Sequence, residues 1–186
     1  YFCNLAVEPT HFADVIANDA GFVKSDYFKY ISWLRNDNDD IYDPDYNDIL
    51  RVVSLTEFNR GKLSDLVALL SGRNFDTREN LKEIADESFV KLETGVYKFT
   101  RELHFKHFVQ DILRAAGFRS ASMIGSKNAI NYAYAVYLRS RDIGDGTAMR
   151  DRSIRKLFVL SLLTGRHSGS FETLFERDIK QIVKPG

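Results

Sequence analysis

The residues predict an all-α fold, an irregular bundle of about eight or nine helices with little or no sheet. Three observations carry that expectation. Apolar side chains recur at i, i+3, i+4 and i+7 along nearly every segment. No stretch sustains a two-residue alternation of β-branched and polar residues, the pattern of a half-buried strand. Glycines and serines fall where the helical runs stop and start. With 186 residues, 44% of them apolar, and 14 Phe beside 9 Tyr, the chain has material for a buried core.

Pro9 suits the first turn of a short helix carrying Phe12, Val15 and Ile16 on one side, with Gly21 past its end. Ser25 is placed to cap Asp26–Leu34, where Tyr27, Tyr30, Ile31 and Leu34 share a face. An acidic, turn-rich stretch, RNDNDDIYDPDYND, follows. Ile49, Val52, Val53 and Leu55 predict a helix that breaks at Gly61, and Leu63, Leu66, Val67 and Leu70 predict another up to Gly72. From Thr77 a long helix is expected, with Leu81, Ile84, Ala85, Ser88 and Leu92 aligned. Phe105, Phe108, Val109, Ile112, Leu113 and Ala116 follow the α template until Gly117. Ser126 is the expected cap of Lys127–Arg139, and RDIGDGTAMRDRS reads as loop. Arg152–Leu163 is apolar nearly all round, as a helix at the domain centre should be, and Phe171–Ile182 completes the set. One domain over 1–186 is expected, with a soft boundary near 72–78 that could divide it into lobes 1–75 and 76–186.

Composition excludes several classes. No run approaches the roughly 18 apolar residues of a membrane span, so no membrane partner is expected and a cytoplasmic location follows. One cysteine, Cys3, cannot make an internal disulfide or a cysteine zinc cluster. The start at Tyr1 suggests a piece of a longer protein. Formal net charge is zero, but residues 1–99 hold 11 Lys and Arg against 18 Asp and Glu, and residues 100–186 hold 15 against 8. Arg139, Arg141, Arg150, Arg152, Arg155 and Lys156 crowd into 18 residues. Such a division fits a polyanion-binding face, or two faces that complement each other or a partner.

Motifs for self-contained chemistry are weak. Asp37, Asp39, Asp43 and Asp48 approach calcium-loop offsets, without the turn glycine or the closing glutamate. His104 and His107 share a helical face, but only Glu102 is an acidic neighbour in sequence, so no metal is expected. A Gly-x-Ser-x-Gly elbow, a P-loop and GxGxxG are all absent, and no cofactor or catalytic residue is assigned. The turn TGRHSGSF stands out. Gly165 is suited to close the preceding helix and Ser170 to cap the next. Arg166, Ser168 and the free amides of a helix start would also suit a phosphate. Arg166, Ser168, Ser170, Arg139, Arg141 and Arg155 are therefore the phosphate or nucleic-acid candidates.

The ordered segments NRGKLSDLVALLSGRNFDTRE, ESFVKLETGVYKFT, AAGF, SKNAINYAYAVYLR and IRKLFVLSLLTGRHSGSFETLFERDIKQI resemble the helical region of the GmrSD-type restriction proteins. The resemblance covers roughly residues 45–182. Its most specific part is Gly165-Arg166-His167-Ser168-Gly169-Ser170-Phe171-Glu172 with Asp178-Ile179 after it, similar to the family's Gly-Arg-Tyr-Ser-Gly-Ser-x-Glu turn and Asp-Ile helix. His167 stands where tyrosine is usual, and Phe171 where proline is common. In that family the helical region follows a ParB/sulfiredoxin-like domain whose Asp-Gly-Gln-Gln-Arg motif serves nucleotide binding and hydrolysis. That motif, and the His-Asn-His nuclease signature of some members, are absent here. The resemblance thus implies a non-catalytic helical module of a phage-defence protein, partnered by a ParB-like domain of the same protein. Direct binding of DNA by the basic half is the alternative, and the oligomeric state is left open.

Overall fold

In the computed structural model, residues 41–143, 147–167 and 171–183 are described. The two predicted helices before residue 41, and Asp37 and Asp39, lie outside these. Among the described residues the fold is all-α: seven α-helices and short π and 3-10 turns, with one isolated antiparallel bridge between Arg73 and Asn80.

α1 (Tyr46–Glu57) starts at a reciprocal capping box. The Asp45 carboxylate accepts from the Asp48 amide at 3.1 Å, and Asp48 accepts from the Asp45 amide at 2.8 Å. Asp48 is therefore a buried helix-start residue rather than a calcium-loop ligand. α1 buries Ile49, Val52, Val53 and Leu55, and Asn59 turns the chain in the left-handed region at φ 56°. α2 (Leu63–Leu70) ends before Gly72, whose φ is 83°. The long helix expected from Thr77 starts later, as α3 (Lys82–Thr100). The Asn74 side chain holds the preceding residues in a turn by accepting from the amides of Asp76 and Thr77 at 2.8 and 3.1 Å. Gly95 lets α3 approach α1 closely: a Cβ there would stand 2.5 Å from Val53 Cγ1 and 2.8 Å from Glu57 Cγ.

Residues 102–116 do not form one α-helix. α4 (Glu102–His107) runs into a π turn over Phe108–Leu113 and a 3-10 turn over Arg114–Ala116 before Gly117 at φ 97°. The apolar spacing fits either winding for so short a run, and packing decides between them. α5 (Lys127–Ile143) runs past its expected end at Arg139, and Ser126 Oγ accepts from the Ala129 amide at 3.4 Å, as expected of a cap.

α5 is the central helix. Every residue from Ala129 to Leu138 is at most 9% exposed, and α1 and α6 (Thr147–Leu163) pack on it. Its alanines let neighbours approach, while its tyrosines fill the core, and the phenols of Tyr134 and Tyr137 find hydrogen-bond partners. Tyr134 sits edge-on to Phe99 at 4.9 Å and Phe105 at 5.7 Å, and donates to the Phe99 carbonyl at 2.7 Å. Fully burying each such ring contributes about 1.5–3 kcal/mol. Two expectations fail here. The RDIGDGTAMRDRS stretch is helical at 141–143 and 147–153, and α6 is not the buried centre: it inserts Ile154 and Phe158 but exposes Met149, Leu160 and Leu163. Being apolar all round does not distinguish a central helix from one with an uncovered apolar side. α7 (Phe171–Val183) closes the bundle with Phe175 and Ile179 fully buried, while Glu172 and Glu176 face Arg51 and Arg60 at 3.6 Å each. The core is continuous across 72–78, since α1 packs on both α3 and α5.

Candidate functional site

The turn after α6 is built by backbone rules. Gly165 adopts φ 60°, the Arg166 amide donates to the Ser161 carbonyl at 3.2 Å, and the Gly165 amide to Leu162 at 3.2 Å. That pair is a Schellman closure with glycine at the left-handed position. The closure aims Arg166 at α7. Arg166 Nε donates to Asp178 Oδ2 at 2.9 Å and Nη2 to Oδ1 at 2.8 Å, a fork-to-fork pair. Burial opposes ionisation of Asp178, but the hydrogen bonds and charge of Arg166, with Arg177 nearby, outweigh it and hold the carboxyl below the ordinary carboxylate range. Arg166 itself is pushed up by the same pair, and its side chain remains 45% exposed.

His167 turns the other way, into the core. Its ring lies 4.4 Å from Tyr132 and 5.0 Å from Phe175, and is 1% exposed. Among the described residues neither ring nitrogen has a hydrogen-bond partner; Asp178 Oδ2 is 3.7 Å from Nε2. Burial, assisted by the Arg166 charge and opposed by Asp178, lowers its basicity, so the neutral ring is the form the core favours. The turn thus works as a latch: backbone closure, then an ion pair across to α7, then an aromatic plug. Ser168 and Ser170 lie outside the described residues.

The other predicted arginines are dispersed among internal partners. Arg139 Nη1 donates to the Leu55 and Thr56 carbonyls at 3.2 and 3.3 Å and to Asn59 Oδ1, so it caps the C-terminal end of α1. Arg141 Nη1 donates to the Tyr137 hydroxyl at 2.9 Å, with its guanidinium carbon 5.7 Å from that ring centre. Arg155 Nε donates to the Asp151 carbonyl at 3.4 Å within its own helix. Arg139 and Arg166 therefore belong to separate networks, while Arg141 and Arg155 border a third.

That third network is one that sequence reasoning missed. His107, at the end of α4, stacks on Tyr137 of α5 at 5.7 Å and 18°. Its Nε2 lies 2.8 Å from Asp151 Oδ2 on α6, and its Nδ1 lies 3.1 Å from Asp111 Oδ2 in the π turn. Both contacts are hydrogen bonds at once only when each ring nitrogen carries a proton. Arg150 Nε donates to the other Asp151 oxygen at 3.2 Å, and its guanidinium lies 5.6 Å from the Tyr137 ring centre. The arrangement fastens α4, α5 and α6 around one tyrosine. The i, i+4 spacing of His107 and Asp111 was visible in sequence; the contact to Asp151 crosses 44 residues and was not. Glu102, the acidic neighbour expected beside the histidines, pairs with Lys106 at 2.7 Å. Among the described residues no group of three or more His, Cys, Asp or Glu is assembled to hold a metal ion, and no helix is long and apolar enough to cross a membrane.

A chain of polar side chains crosses the core between α1 and α5. Tyr42 donates to Asn131 Oδ1 at 2.8 Å, Asn131 donates to Asp48 Oδ1 at 2.7 Å, and Lys127 lies 2.6 Å from Asp48 Oδ2. It fixes α1 against α5 through a fully buried asparagine.

No family model, curated protein or solved structure matches this chain.

Proposed function

We propose that the chain is a non-catalytic helical module of a bacterial restriction or phage-defence protein, supporting a nucleotide- or DNA-handling ParB-like domain. The observation that carries this reading is the use made of the 164–167 turn, part of the stretch most similar to the GmrSD-type proteins. Its Arg166 grips Asp178 and its His167 plugs the core, so these two side chains hold α6 and α7 in fixed relation. Arg139 likewise serves a helix end. Residues engaged in this way suit a rigid support better than a reacting centre, which needs groups free to meet a substrate. The test is the parent reading frame and its product. An in-frame Asp-Gly-Gln-Gln-Arg domain upstream of Tyr1, whose nucleotide hydrolysis is lost on deleting residues 41–183, supports the reading. A reading frame whose start codon lies immediately before the Tyr1 codon overturns it.

A second reading, nucleic-acid binding by the basic half, draws support from Arg152 and Lys156, both exposed on α6, with Arg141 and Arg155 near them in sequence. Affinity would then fall steeply with salt, because backbone phosphates would be the ligands. Gel shifts with duplex and single-stranded DNA across a salt series test it, and no binding at low ionic strength ends it.

A further inference from the structure

α6 and α3 each leave a long stripe uncovered, and the two stripes are complementary. On α6 the exposed side chains run Met149, Arg152, Lys156, Leu160 and Leu163, one helical face with cations in its middle and apolar residues toward its C-terminal end. Met149 is 77% and Leu163 78% exposed. On α3 the exposed face carries Glu83, Asp86 and Glu87 in its N-terminal half, with Lys82 and Lys91 beside them, then Val90 at 63%, Thr94 and Tyr97 at 49%. Helical spacing alone would give any solvent face this periodicity. The order of chemistry along it is what is specific: on α3 the glutamates precede Val90, Thr94 and Tyr97, and on α6, after Met149 at the N-terminal end, the cations precede Leu160 and Leu163.

The lengths agree as well. At 1.5 Å per residue, Glu83 and Glu87 are about 6 Å apart along the axis, as are Arg152 and Lys156. Set side by side in parallel, the two carboxylates meet the two cations. Val90 then lies about 10 Å further on, beside Leu160 at about 12 Å. Tyr97 falls about 21 Å along, one turn past Leu163 at about 16 Å. At that end of α6 lies an open groove of about 430 Å³, lined by Phe118, Met123, Val159, Leu162 and Leu163, with Ser126 among its polar lining residues. An aromatic ring with one polar tip suits such a groove. The antiparallel arrangement would place the glutamates against Leu160 and Leu163, which desolvates charge with no partner.

We propose that this chain associates with a second copy of itself, the α3 stripe of one copy lying parallel to the α6 stripe of the other, with the incoming Tyr97 seated in the Leu163 groove. The charge division between the two halves of the sequence is then the signature of a self-complementary surface. A closed pair uses both stripes twice, whereas a single stripe contact leaves a stripe free at each end and extends into a chain of copies.

Sedimentation analysis from about 10 μM to about 1 mM protein covers the range expected of so small a contact. Association that grows with concentration and weakens from about 0.05 M to about 1 M salt is expected. Arg152→Glu with Lys156→Glu, and separately Glu83→Lys with Glu87→Lys, should each weaken it by at least about tenfold, and mixing the two variants should restore it. Tyr97→Ala should weaken it by about tenfold at every salt concentration. All these positions are exposed, so circular dichroism should be unchanged. A wild-type monomer at the highest concentration overturns the proposal, as does a mixture that fails to associate. It is equally overturned if the α6 variant loses oligonucleotide binding, or capture of a ParB-like domain, while self-association is unaffected.

Discussion

Removing the charge of Asp178 decides whether Arg166 is a latch or a ligand-binding group. Asp178→Asn keeps the side-chain size and one acceptor oxygen but loses the fork-to-fork pairing seen at 2.9 and 2.8 Å. Hydrogen bonds to a charged partner are worth about 1.5–3 kcal/mol where solvent is excluded. Asp178 is 10% exposed on its side chain, but Arg166 is 45% exposed, and solvent screening reduces the pair toward the surface range. A coupling of about 1 kcal/mol between Arg166→Gln and Asp178→Asn is therefore expected in a double-mutant cycle, read from urea unfolding at neutral pH. Each single substitution should cost about 1–2 kcal/mol, and Asp178→Asn the more, because it also leaves Arg177 and His167 without their neighbouring charge. Inorganic phosphate should stabilise the wild-type protein no more than chloride at equal ionic strength. A coupling near zero would refute the latch. So would a specific phosphate stabilisation lost in Arg166→Gln, which would show the guanidinium to be a phosphate ligand.

Two further outcomes follow from buried groups. Asn131→Leu fits the space but strips Asp48 of one hydrogen bond and Tyr42 of its amide acceptor; a loss of about 2–3 kcal/mol is expected, since Lys127 and the Asp45 amide still serve Asp48. Unfolding midpoints that stay at the wild-type value would show that the buried chain is dispensable. His167 is less basic folded than its ordinary 6.5, so between those values only the unfolded chain takes up the proton. Its contribution is intact above pH 6.5 and is lost as pH falls below it, at about 1.4 kcal/mol per pH unit across that window. His167→Phe should keep the contacts to Tyr132 and Phe175 and flatten that part of the stability profile; an unchanged slope in chemical denaturation would place the titration elsewhere.

Helix existence and helix ends were legible because their causes are local. Gly165 predicts a left-handed closure and adopts one, since only glycine takes φ 60° without a steric cost from its side chain. Ser126 predicts a cap and provides it. Leu63, Leu66 and Leu70 mark a helix that forms where periodicity places it. Local signals misled where two local solutions are close in energy. The apolar spacing of 105–116 admits both α and π windings, and Thr77 offered an earlier start than the Asn74 turn permits.

The amino-acid sequence by itself determined the all-α class, the helix boundaries set by caps and glycines, and the separation of acidic and basic residues. Only the tertiary structure decided that α5 is the central helix and that α6 keeps an open apolar side, because both sequences are rich in apolar residues and burial depends on what packs against them. It also decided the partner of each charged side chain. Arg139 meets carbonyls some 84 residues away, and His107 meets Asp151 across 44. An arginine with free donors and one engaged at a helix end read identically along the chain. The long reach of the side chain leaves the choice of partner to the packing of helices, which no local rule contains.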